Sequence, residues 1–221
     1  MHTEPRFRVF FIYGRGKKTP NQPWDLVFPD AADGYPVPLE KVFKAFAYVD
    51  SRFDYDFLVR TNLSTFWVLE SLLKHLDSLP SKLCYEGDGP LPPKGRKYYV
   101  SGTDTIVNRA MITSWLNNPP GPHALKYGAE DQAMGRYFHL TLGAPLRASN
   151  MHFMEHLVSN PELNAQIAHE ISEAEALNQS HFRIKTQHGN RVFVDETIAL
   201  SLLRHYYGKK IGILAQVTNS A

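Results

Sequence analysis

The stretch FLVRTNLSTFW, residues 57–67, constrains the fold more than any other part of the chain. Residues 57–59 form an apolar run that is too short for a helix and is typical of a buried strand. Polar residues 60–62 end this run, and Ser64 stands where an N-cap belongs, ahead of apolar residues at helical spacing up to residue 79. The pattern therefore predicts a strand, a polar turn and a helix. In α/β sheets such a turn lies at the carboxyl end of a strand, where ligands bind, although many such turns bind nothing.

The length and charge of the chain limit the classes of protein to which it can belong. Its 221 residues suffice for one sizeable domain or two small ones. Hydrophobic residues make up 43% and charged residues 21%, the balance of a soluble globular protein. A net charge of only +2 argues against a nucleic-acid partner. Local basic clusters at residues 15–18 and 181–191 suit a small anionic ligand better.

Three further features of the sequence bear on its compartment. The lone cysteine, Cys84, excludes an intrachain disulfide framework. No apolar run approaches the ~20 residues that a membrane span needs. The first residues lack a signal-peptide core. We therefore expect a cytoplasmic protein, or the soluble domain of a larger one, with no membrane span.

Short apolar runs alternate with helical patterns through the first two thirds of the chain. Strands are expected at 8–13, 25–28, 57–59, 82–85 and 98–101, and helices at 39–49, 64–79, 108–117 and 130–142. The last third is mostly helical, with helices expected at 151–158, 161–177 and 196–207 and short strands at 181–185 and 211–214. This order favours an α/β protein with a largely parallel central sheet flanked by helices.

The sequence HFRIK that begins at His181 alternates apolar and cationic residues. Phe182 and Ile184 share one face of the predicted strand, while His181, Arg183 and Lys185 share the other. The pattern predicts a half-buried strand with a cationic outer face. An edge strand whose charges are simply solvated is the alternative.

Four segments occur in an order that resembles a known family. They are WDLVFPDAADGY with Lys41 following, FLVRTNLSTFW, KYYVSGTDTIVNRAM and AEDQAMGRYFHLTLG. Together they are similar to the GT-A nucleotide-sugar glycosyltransferases of the β-1,3-galactosyltransferase and Fringe kind, over residues 7–145. The resemblance implies one GT-A-type, Rossmann-like domain over residues 1–221. Its nucleotide-sugar-binding part would cover residues 7–100, and its acceptor-binding and catalytic part residues 98–221.

The resemblance also implies an activity. A protein of this kind moves a sugar from a nucleotide-sugar, with a UDP-sugar favoured, to a hydroxyl of a glycan or glycoconjugate. Relatives carry another strand and an Arg-rich segment ahead of the one that matches RVFFIYGR, and this sequence begins almost at that strand. The sequence therefore does not predict which base the donor carries.

The main departure from the family lies at the end of the central strand. Relatives carry a DxD motif there, whose carboxylates hold a divalent metal on the donor diphosphate. Asn62, Leu63 and Ser64 stand in its place. Amide and hydroxyl groups carry no charge, so the sequence does not predict the tight Mn²⁺ or Mg²⁺ site of the family. A literal DxD at 54–56 precedes the strand, at the wrong end for the ligand crevice.

Without the metal, another group must stabilise the departing nucleoside diphosphate. Metal-independent GT-A enzymes use a C-terminal basic cluster for this purpose. By resemblance, that role falls here to His181, Arg183, Lys185 and Arg191, with Arg60 assisting from the central turn. A metal held by His181 together with Ser64 or a water molecule is the alternative.

The resemblance assigns further donor-binding residues to the first part of the chain. The end of the first strand would face the nucleotide base or ribose, and a Lys-bearing helix would reach toward the donor. These residues are Tyr13, Gly14, Arg15, Asp30, Tyr35 and Lys41. A solvated basic turn after the first strand is the alternative for this region.

The resemblance places the catalytic group at the start of a helix. Asp131 matches the acidic residue that takes the proton from the acceptor hydroxyl in inverting relatives, and Glu130 would share this role or bind an acceptor hydroxyl. Acidic residues in a first helical turn are also common because they oppose the helix dipole. Ser101, Gly102 and Thr103 would line the acceptor or donor sugar.

Two other classes of function remain as alternatives. The missing DxD is compatible with a catalytically inactive GT-A-like module that binds a glycan or a nucleotide. A nucleotidyltransferase is disfavoured, because such enzymes need paired carboxylates for metals at strand ends. No sequence feature excludes a retaining rather than an inverting transfer.

Overall fold

The computed structural model describes residues 6–15, 22, 24–32, 34, 39–89, 98–122, 124, 129–187 and 189–218, with side chains through residue 208. It shows a mixed α/β protein. The chain divides into two compact units. Unit 1 contains Met1–Arg60 and Pro80–Ala148, and unit 2 contains Thr61–Leu79 and Ser149–Ala221. Each unit is therefore built from two separate stretches of sequence.

The helices and strands follow one another in a mixed order. The strands are β1 (Phe11–Tyr13), β2 (Asp25–Val27), β3 (Phe57–Thr61), β4 (Thr65–Trp67), β5 (Tyr85–Gly87), β6 (Asp104–Asn108), β7 (Leu146–Ala148), β8 (Met151–Phe153) and β9 (His181–Arg183). The helices are α1 (Leu39–Asp50), α2 (Leu69–Asp77), α3 (Arg109–Asn117), α4 (Glu130–Arg136), α5 (Leu163–Ala176) and α6 (Arg191–Thr218), and a π-helical turn at Tyr137–Thr141 follows α4. No helix in the described ranges combines the length and apolarity needed to cross a membrane.

Unit 1 packs helices against two small sheets. β1 and β2 pair in parallel, and a second sheet has the strand order β3-β6-β5-β7. In that sheet β5 runs antiparallel to β6 and parallel to β7. The core centres on the buried ring of Trp115, which meets Phe43 and Phe138 edge-on at centroid distances of 4.9 and 5.0 Å. Such edge-to-face packing adds to the stabilisation that burial alone provides.

Unit 2 is organised around a three-stranded sheet with the order β4-β9-β8. β4 runs antiparallel to β9, so that Phe66 lies opposite Phe182, and β8 runs parallel to β9. Phe182 is fully buried in a core that also contains Ile167 of α5 and Ile198 of α6. The inward placement of Phe182 and Ile184 predicted from their alternation is confirmed.

The helix expected from residue 64 begins only at Leu69, and Ser64 is not its N-cap. Residues 65–67 form β4 instead, and Val68 occupies the cap position without a side-chain hydrogen bond to the helix. Threonine and two aromatic residues suit a strand when a partner strand is present, and β9 provides that partner. The predicted strand–turn–helix unit is therefore wrong in its second half.

The expected strand at 98–101 is also wrong, and the strand of this region lies further on. β6 covers residues 104–108, all of them buried. Asn108, predicted to open a helix, instead ends β6 and caps α3 by accepting a hydrogen bond from Met111 N at 3.0 Å. A short fully buried strand shows no alternation, so periodicity did not distinguish it from the helix that follows.

Three predictions for the last third of the chain are wrong. Residues 151–158 form β8 and a turn rather than a helix, and residues 211–214 lie inside α6 rather than in a strand. The last helix starts at Arg191 rather than at residue 196. Within it, the carboxylate of Asp195 accepts from Thr186 N at 2.9 Å, which anchors the segment before α6. In the described ranges the strands lie in three sheets, one parallel and two of mixed direction, instead of one largely parallel sheet.

Candidate functional site

In unit 1 the structure brings four of the predicted site residues together, and we call them the Arg60 cluster: Arg60, Gly102, Glu130 and Asp131. Arg60 lies near the end of β3 and forms an ion pair with Glu130, the first residue of α4. Their side chains are only 17% and 7% exposed. A Cβ added to Gly102 would lie 2.9 Å from Arg60 Cζ, so the close approach of the guanidinium requires glycine at this position.

Burial dominates the electrostatics of the Arg60 cluster. Loss of water lowers the pKa of Arg60 to about 10, while the nearby charge of Asp131 acts in the opposite direction. Arg60 is therefore still a cation at neutral pH. One oxygen of its partner, Glu130 Oε2, is buried and has no hydrogen-bond partner among the described residues. A buried acceptor of this kind is normally satisfied by a water molecule or by a donor from a ligand.

Asp131 is half-buried beside this ion pair. Its Oδ1 accepts a hydrogen bond from Gln132 N at 2.7 Å, and its charge acts on both Arg60 and Tyr85. Tyr85 is buried, which raises the pKa of its hydroxyl, and this hydroxyl accepts from Val100 N at 3.0 Å. The neighbourhood of Asp131 thus contains one fixed cation and one protonated phenol.

The turn at 101–103 is held by a buried carboxylate that sequence reasoning missed. Thr103 Oγ1 lies 3.1 Å from Ser101 Oγ and 3.2 Å from Asp104 Oδ1. Both carboxylate oxygens of Asp104 accept from Asp88 N, at 2.9 and 2.8 Å. A buried acid at the start of β6 therefore fixes the turn on which Gly102 lies. Its only sequence signal was its position directly after the predicted sugar-lining residues.

The predicted donor-binding residues of the first sheet lie at the carboxyl ends of β1 and β2. Phe28 N donates to Tyr13 O at 2.9 Å, and Gly14 is buried directly after β1. Arg15 is exposed, and its Nη2 donates to Asp30 O at 3.3 Å. The two strand ends are therefore joined by hydrogen bonds, at the edge where ligands bind parallel sheets.

Asp30 contacts Lys44, a lysine of α1 for which the sequence predicted no role. Lys44 Nζ lies 2.7 Å from Asp30 Oδ2, and this hydrogen bond holds the pKa of Asp30 below its usual value. Lys41 lies half-buried on the same helix, α1. Tyr35 lies outside the described residues. Helical spacing favours neither lysine over the other for this contact, so the sequence alone did not identify Lys44.

In unit 2 two residues of the turn after β3 meet an arginine of the predicted basic cluster. Arg183 Nη1 donates to Asn62 Oδ1 at 3.2 Å and also to Ser64 Oγ. Arg183 Nε donates to Glu155 Oε1 at 3.0 Å, a contact that the sequence did not indicate. We call this set the Asn62 cluster: Asn62, Ser64, Glu155 and Arg183. It fixes a guanidinium beside the turn that follows β3, which is an edge strand of its sheet in the described residues and not the central strand that the sequence predicted.

This donor set does not fit a divalent metal. Asn62 and Ser64 offer neutral oxygens that already accept hydrogen bonds from Arg183, so an ion there would have to displace a cation. Mg²⁺ and Mn²⁺ sites normally include carboxylates. Glu155, the carboxylate of the cluster, is already paired with Arg183. In unit 1, Asp54 of the literal DxD pairs with Arg109 at the start of α3.

The other predicted diphosphate-binding residues do not share one exposed face. His181, predicted to face outward, is buried because its ring stacks on that of Trp67, its cross-strand partner, at 4.1 Å and 17°. Ser180 Oγ lies 2.9 Å from its Nδ1. Lys185 is exposed. Arg191 lies in the first turn of α6, where its Nε pairs with Asp195 Oδ2 at 3.0 Å.

The predicted site is thus represented by one cluster in each unit. The Arg60 cluster combines a buried ion pair with a half-buried carboxylate, and the Asn62 cluster combines a fixed guanidinium with two neutral acceptors. Carboxylates suit proton transfer from a hydroxyl, and guanidinium groups suit binding of phosphate. When the chain was compared with protein-family models and with curated proteins, neither comparison found a match.

Proposed function

We propose that this protein is a glycosyltransferase that moves a sugar from a nucleotide-sugar to a hydroxyl of a glycan or glycoconjugate, without a metal on the donor diphosphate. The observation that carries the proposal is the contact of Arg183 with Asn62 and Ser64. The resemblance matches Asn62 and Ser64 to the turn at which metal-dependent enzymes hold their ion, and the contact supports a permanent cation in that role. A guanidinium forms paired hydrogen bonds with phosphate oxygens, so it supplies both charge and orientation.

In the proposed reaction the acceptor oxygen bonds to the anomeric carbon of the sugar. The bond from that carbon to the β-phosphate oxygen breaks, and the nucleoside diphosphate leaves with the bonding electrons. Asp131 takes the proton of the acceptor hydroxyl, which makes the hydroxyl a better nucleophile. Attack from the face opposite the leaving group inverts the anomeric configuration. A guanidinium such as that of Arg183 is suited to the separate task of stabilising the charge that develops on a departing diphosphate.

The remaining residues of the proposal bind and orient the substrates. The buried acceptor Glu130 Oε2 suits a sugar hydroxyl, which would donate the hydrogen bond that this atom otherwise lacks among the described residues. Arg15 and Asp30, at the carboxyl ends of β1 and β2, are assigned to the nucleotide. A GT-A-type, Rossmann-like arrangement is part of this proposal, and the parallel pairing of β1 and β2 supports it.

A thermal-shift screen against UDP-, GDP- and dTDP-sugars, each with EDTA and with Mn²⁺, tests the proposal. Ligands that bind the native state raise the melting temperature by mass action. We expect a shift for one nucleotide, with a UDP-sugar the first choice, and the same shift in EDTA. Sugar transfer that is lost in EDTA and restored only by Mn²⁺ would contradict the metal-free mechanism. A protein that binds no donor would contradict the whole proposal.

A catalytically inactive GT-A-like binding module is the second candidate. It is favoured by the pairing of both cluster arginines with internal carboxylates, Arg183 with Glu155 and Arg60 with Glu130. The substitution Asp131→Asn distinguishes the two candidates. An enzyme would lose turnover and keep donor binding, whereas a binding module would show no turnover before or after the change. Asp56→Asn, an exposed acid outside both clusters, is the matched control.

A further inference from the structure

A second group of ligand-type side chains lies in unit 2, outside the Asn62 cluster. His152 Nε2 lies 2.6 Å from Glu170 Oε2, and His156 Nε2 lies 3.0 Å from the other oxygen of the same carboxylate. Glu173 adds a second carboxylate, with ligand atoms of His152, Glu170 and Glu173 all within 4.8 Å of one another. We infer that His152, Glu170 and Glu173 form a binding site for a divalent transition metal of the zinc class, with the nearby His156 joining them as a fourth ligand when the ion binds.

The fold explains why these side chains converge. His152 is a buried residue of β8, and His156 lies in the turn after this strand. Glu170 and Glu173 are three residues apart on α5, so they lie on the same side of that helix. Glu170 is itself buried, and a buried carboxylate must be compensated by cations or by hydrogen-bond donors. Among the described residues, the polar partners of its two oxygens are the imidazole nitrogens of His152 and His156.

A glutamine fixes the orientation of the His152 ring. Gln179 Nε2 donates to Asn150 Oδ1 at 3.0 Å and to Met151 O at 3.4 Å, so its Oε1 is the atom that faces His152 Nδ1, at 2.6 Å. This contact occupies Nδ1, and Nε2 is therefore the ring nitrogen that faces Glu170 Oε2, at 2.6 Å. Metal-binding histidines are typically oriented in this way, by a hydrogen bond from the other ring nitrogen.

The types of ligand favour zinc over the alkaline-earth ions. Two imidazole nitrogens and two carboxylate oxygens are common zinc ligands, whereas Mg²⁺ and Ca²⁺ prefer oxygen alone. Zinc bonds of about 2.0–2.2 Å hold tetrahedral ligand atoms about 3.4 Å apart. The present contacts of 2.6 and 3.0 Å are shorter than that spacing, so the side chains would have to rotate when the ion binds. His156 and Glu173 are 61% and 53% exposed, so the ion can enter from solvent.

The inference is independent of the proposed glycosyl transfer. Four protein ligands leave no open position, so the metal would be structural and would tie β8 and the following turn to α5. It also affects the chelation test above, because EDTA would remove this ion as well. A structural metal ion would be indicated by a melting temperature that falls on chelation while donor binding is kept.

Isothermal titration with ZnCl₂ and measurement of bound metal on the full chain test the inference. We expect one zinc per chain and a higher melting temperature when zinc is bound. His156→Ala removes an exposed ligand without disturbing the core and should weaken zinc binding at least tenfold. Gln179→Ala leaves all four ligands in place and should weaken binding 10- to 100-fold, as other orienting partners do. Glu170→Gln should abolish binding.

The control is His205→Ala, which breaks the exposed pair of His205 Nε2 and Glu175 Oε1, 2.8 Å apart in the same unit. This variant should bind zinc as the unaltered chain does. Absence of stoichiometric zinc, equal binding by His156→Ala, or a preference for Mg²⁺ would each overturn the inference. If Glu170→Gln does not fold, His156→Ala still decides the question.

Discussion

Arg183 Nη1 and Asn62 Oδ1 lie 3.2 Å apart although 121 positions separate the two residues in the sequence. The same amide oxygen accepts from Ser64 N at 3.1 Å and from Ser64 Oγ at 2.7 Å, and these two local hydrogen bonds shape the turn that Arg183 contacts. Because Glu155 holds the other side of the guanidinium, Arg183 is positioned before any ligand arrives. Such preorganisation reduces the cost of ordering the side chain when an anion binds.

The substitution Arg183→Gln should weaken the binding of a nucleoside diphosphate at least tenfold, or about 1.4 kcal/mol. The affinity of Arg183→Lys should lie between those of the unaltered protein and Arg183→Gln, because an ammonium keeps the charge but loses the forked geometry. Titration with UDP in EDTA measures both. Arg204→Gln, an exposed arginine of α6, should bind as the unaltered protein does. Equal affinities for Arg183→Gln and this control would exclude Arg183 from the donor site.

The ion pair of Arg60 and Glu130 should show strong thermodynamic coupling. Each single substitution, Arg60→Met or Glu130→Gln, leaves a buried partner uncompensated and should lower the free energy of unfolding by about 3–5 kcal/mol. The double variant should cost less than the sum of the two. Urea unfolding of all four proteins measures the coupling. Strictly additive losses would show that the pair does not form in solution.

Two glycines of unit 1 should resist replacement to different degrees. A Cβ at Gly135 in α4 would overlap the backbone of Tyr98 and Tyr99, whereas a Cβ at Gly102 would meet the side chain of Arg60. Backbone atoms move aside less readily than the end of a flexible side chain. We therefore expect Gly135→Ala to lower the free energy of unfolding by about 3 kcal/mol and Gly102→Ala to lower it by about 1–2 kcal/mol. Gly121→Ala, with nothing within 4 Å of its Cβ, should stay within about 0.5 kcal/mol. Thermal unfolding ranks the three.

The titration of Asp30 should report its contact with Lys44. The hydrogen bond from Lys44 lowers the pKa of Asp30 below the reference value of 3.8. Because the pKa is lower in the native state, the pair stabilises that state at pH values above the reference pKa. This contribution is lost as the pH falls through the pKa of the folded protein. NMR titration of the Asp30 carboxyl should show the low midpoint. In Lys44→Met the midpoint should return toward 3.8, and an unchanged midpoint would contradict the contact.

The sequence predicted helices and strands about equally well, and β2, β3 and β9 lie within two residues of their expected bounds. α1, α3 and α5 lie within two residues of their expected bounds, because each contains apolar residues at helical spacing. β4 was missed because Phe66 and Leu69 also fit that spacing, and its strand conformation depends on pairing with β9. Tertiary pairing of this kind overrides local propensity and cannot be recognised from a short stretch of sequence.

For the candidate site, the sequence indicated several of the residues but not their contacts. Arg60, Gly102, Glu130 and Asp131 were selected from local motifs, and the structure brings them together. Their contacts were not predictable, because an ion pair such as Arg60 with Glu130 depends on how helices and strands pack. Burial of His181 was missed for a similar reason. A polar residue on the outer side of an alternating strand is expected to be exposed, unless an aromatic partner such as Trp67 covers it.

The division of unit 2 into two stretches of sequence has a consequence for synthesis. Ser64 and Arg183 are 119 positions apart, and β4 pairs with β9 over a similar separation. At a synthesis rate of about 5–20 residues per second, the β4 segment waits roughly 6–24 s for its partner strand. During that time its aromatic edge is unpaired, a state in which strands are prone to associate wrongly. Ribosome-bound chains that end before residue 181 should therefore depend on chaperones more than chains that extend beyond β9.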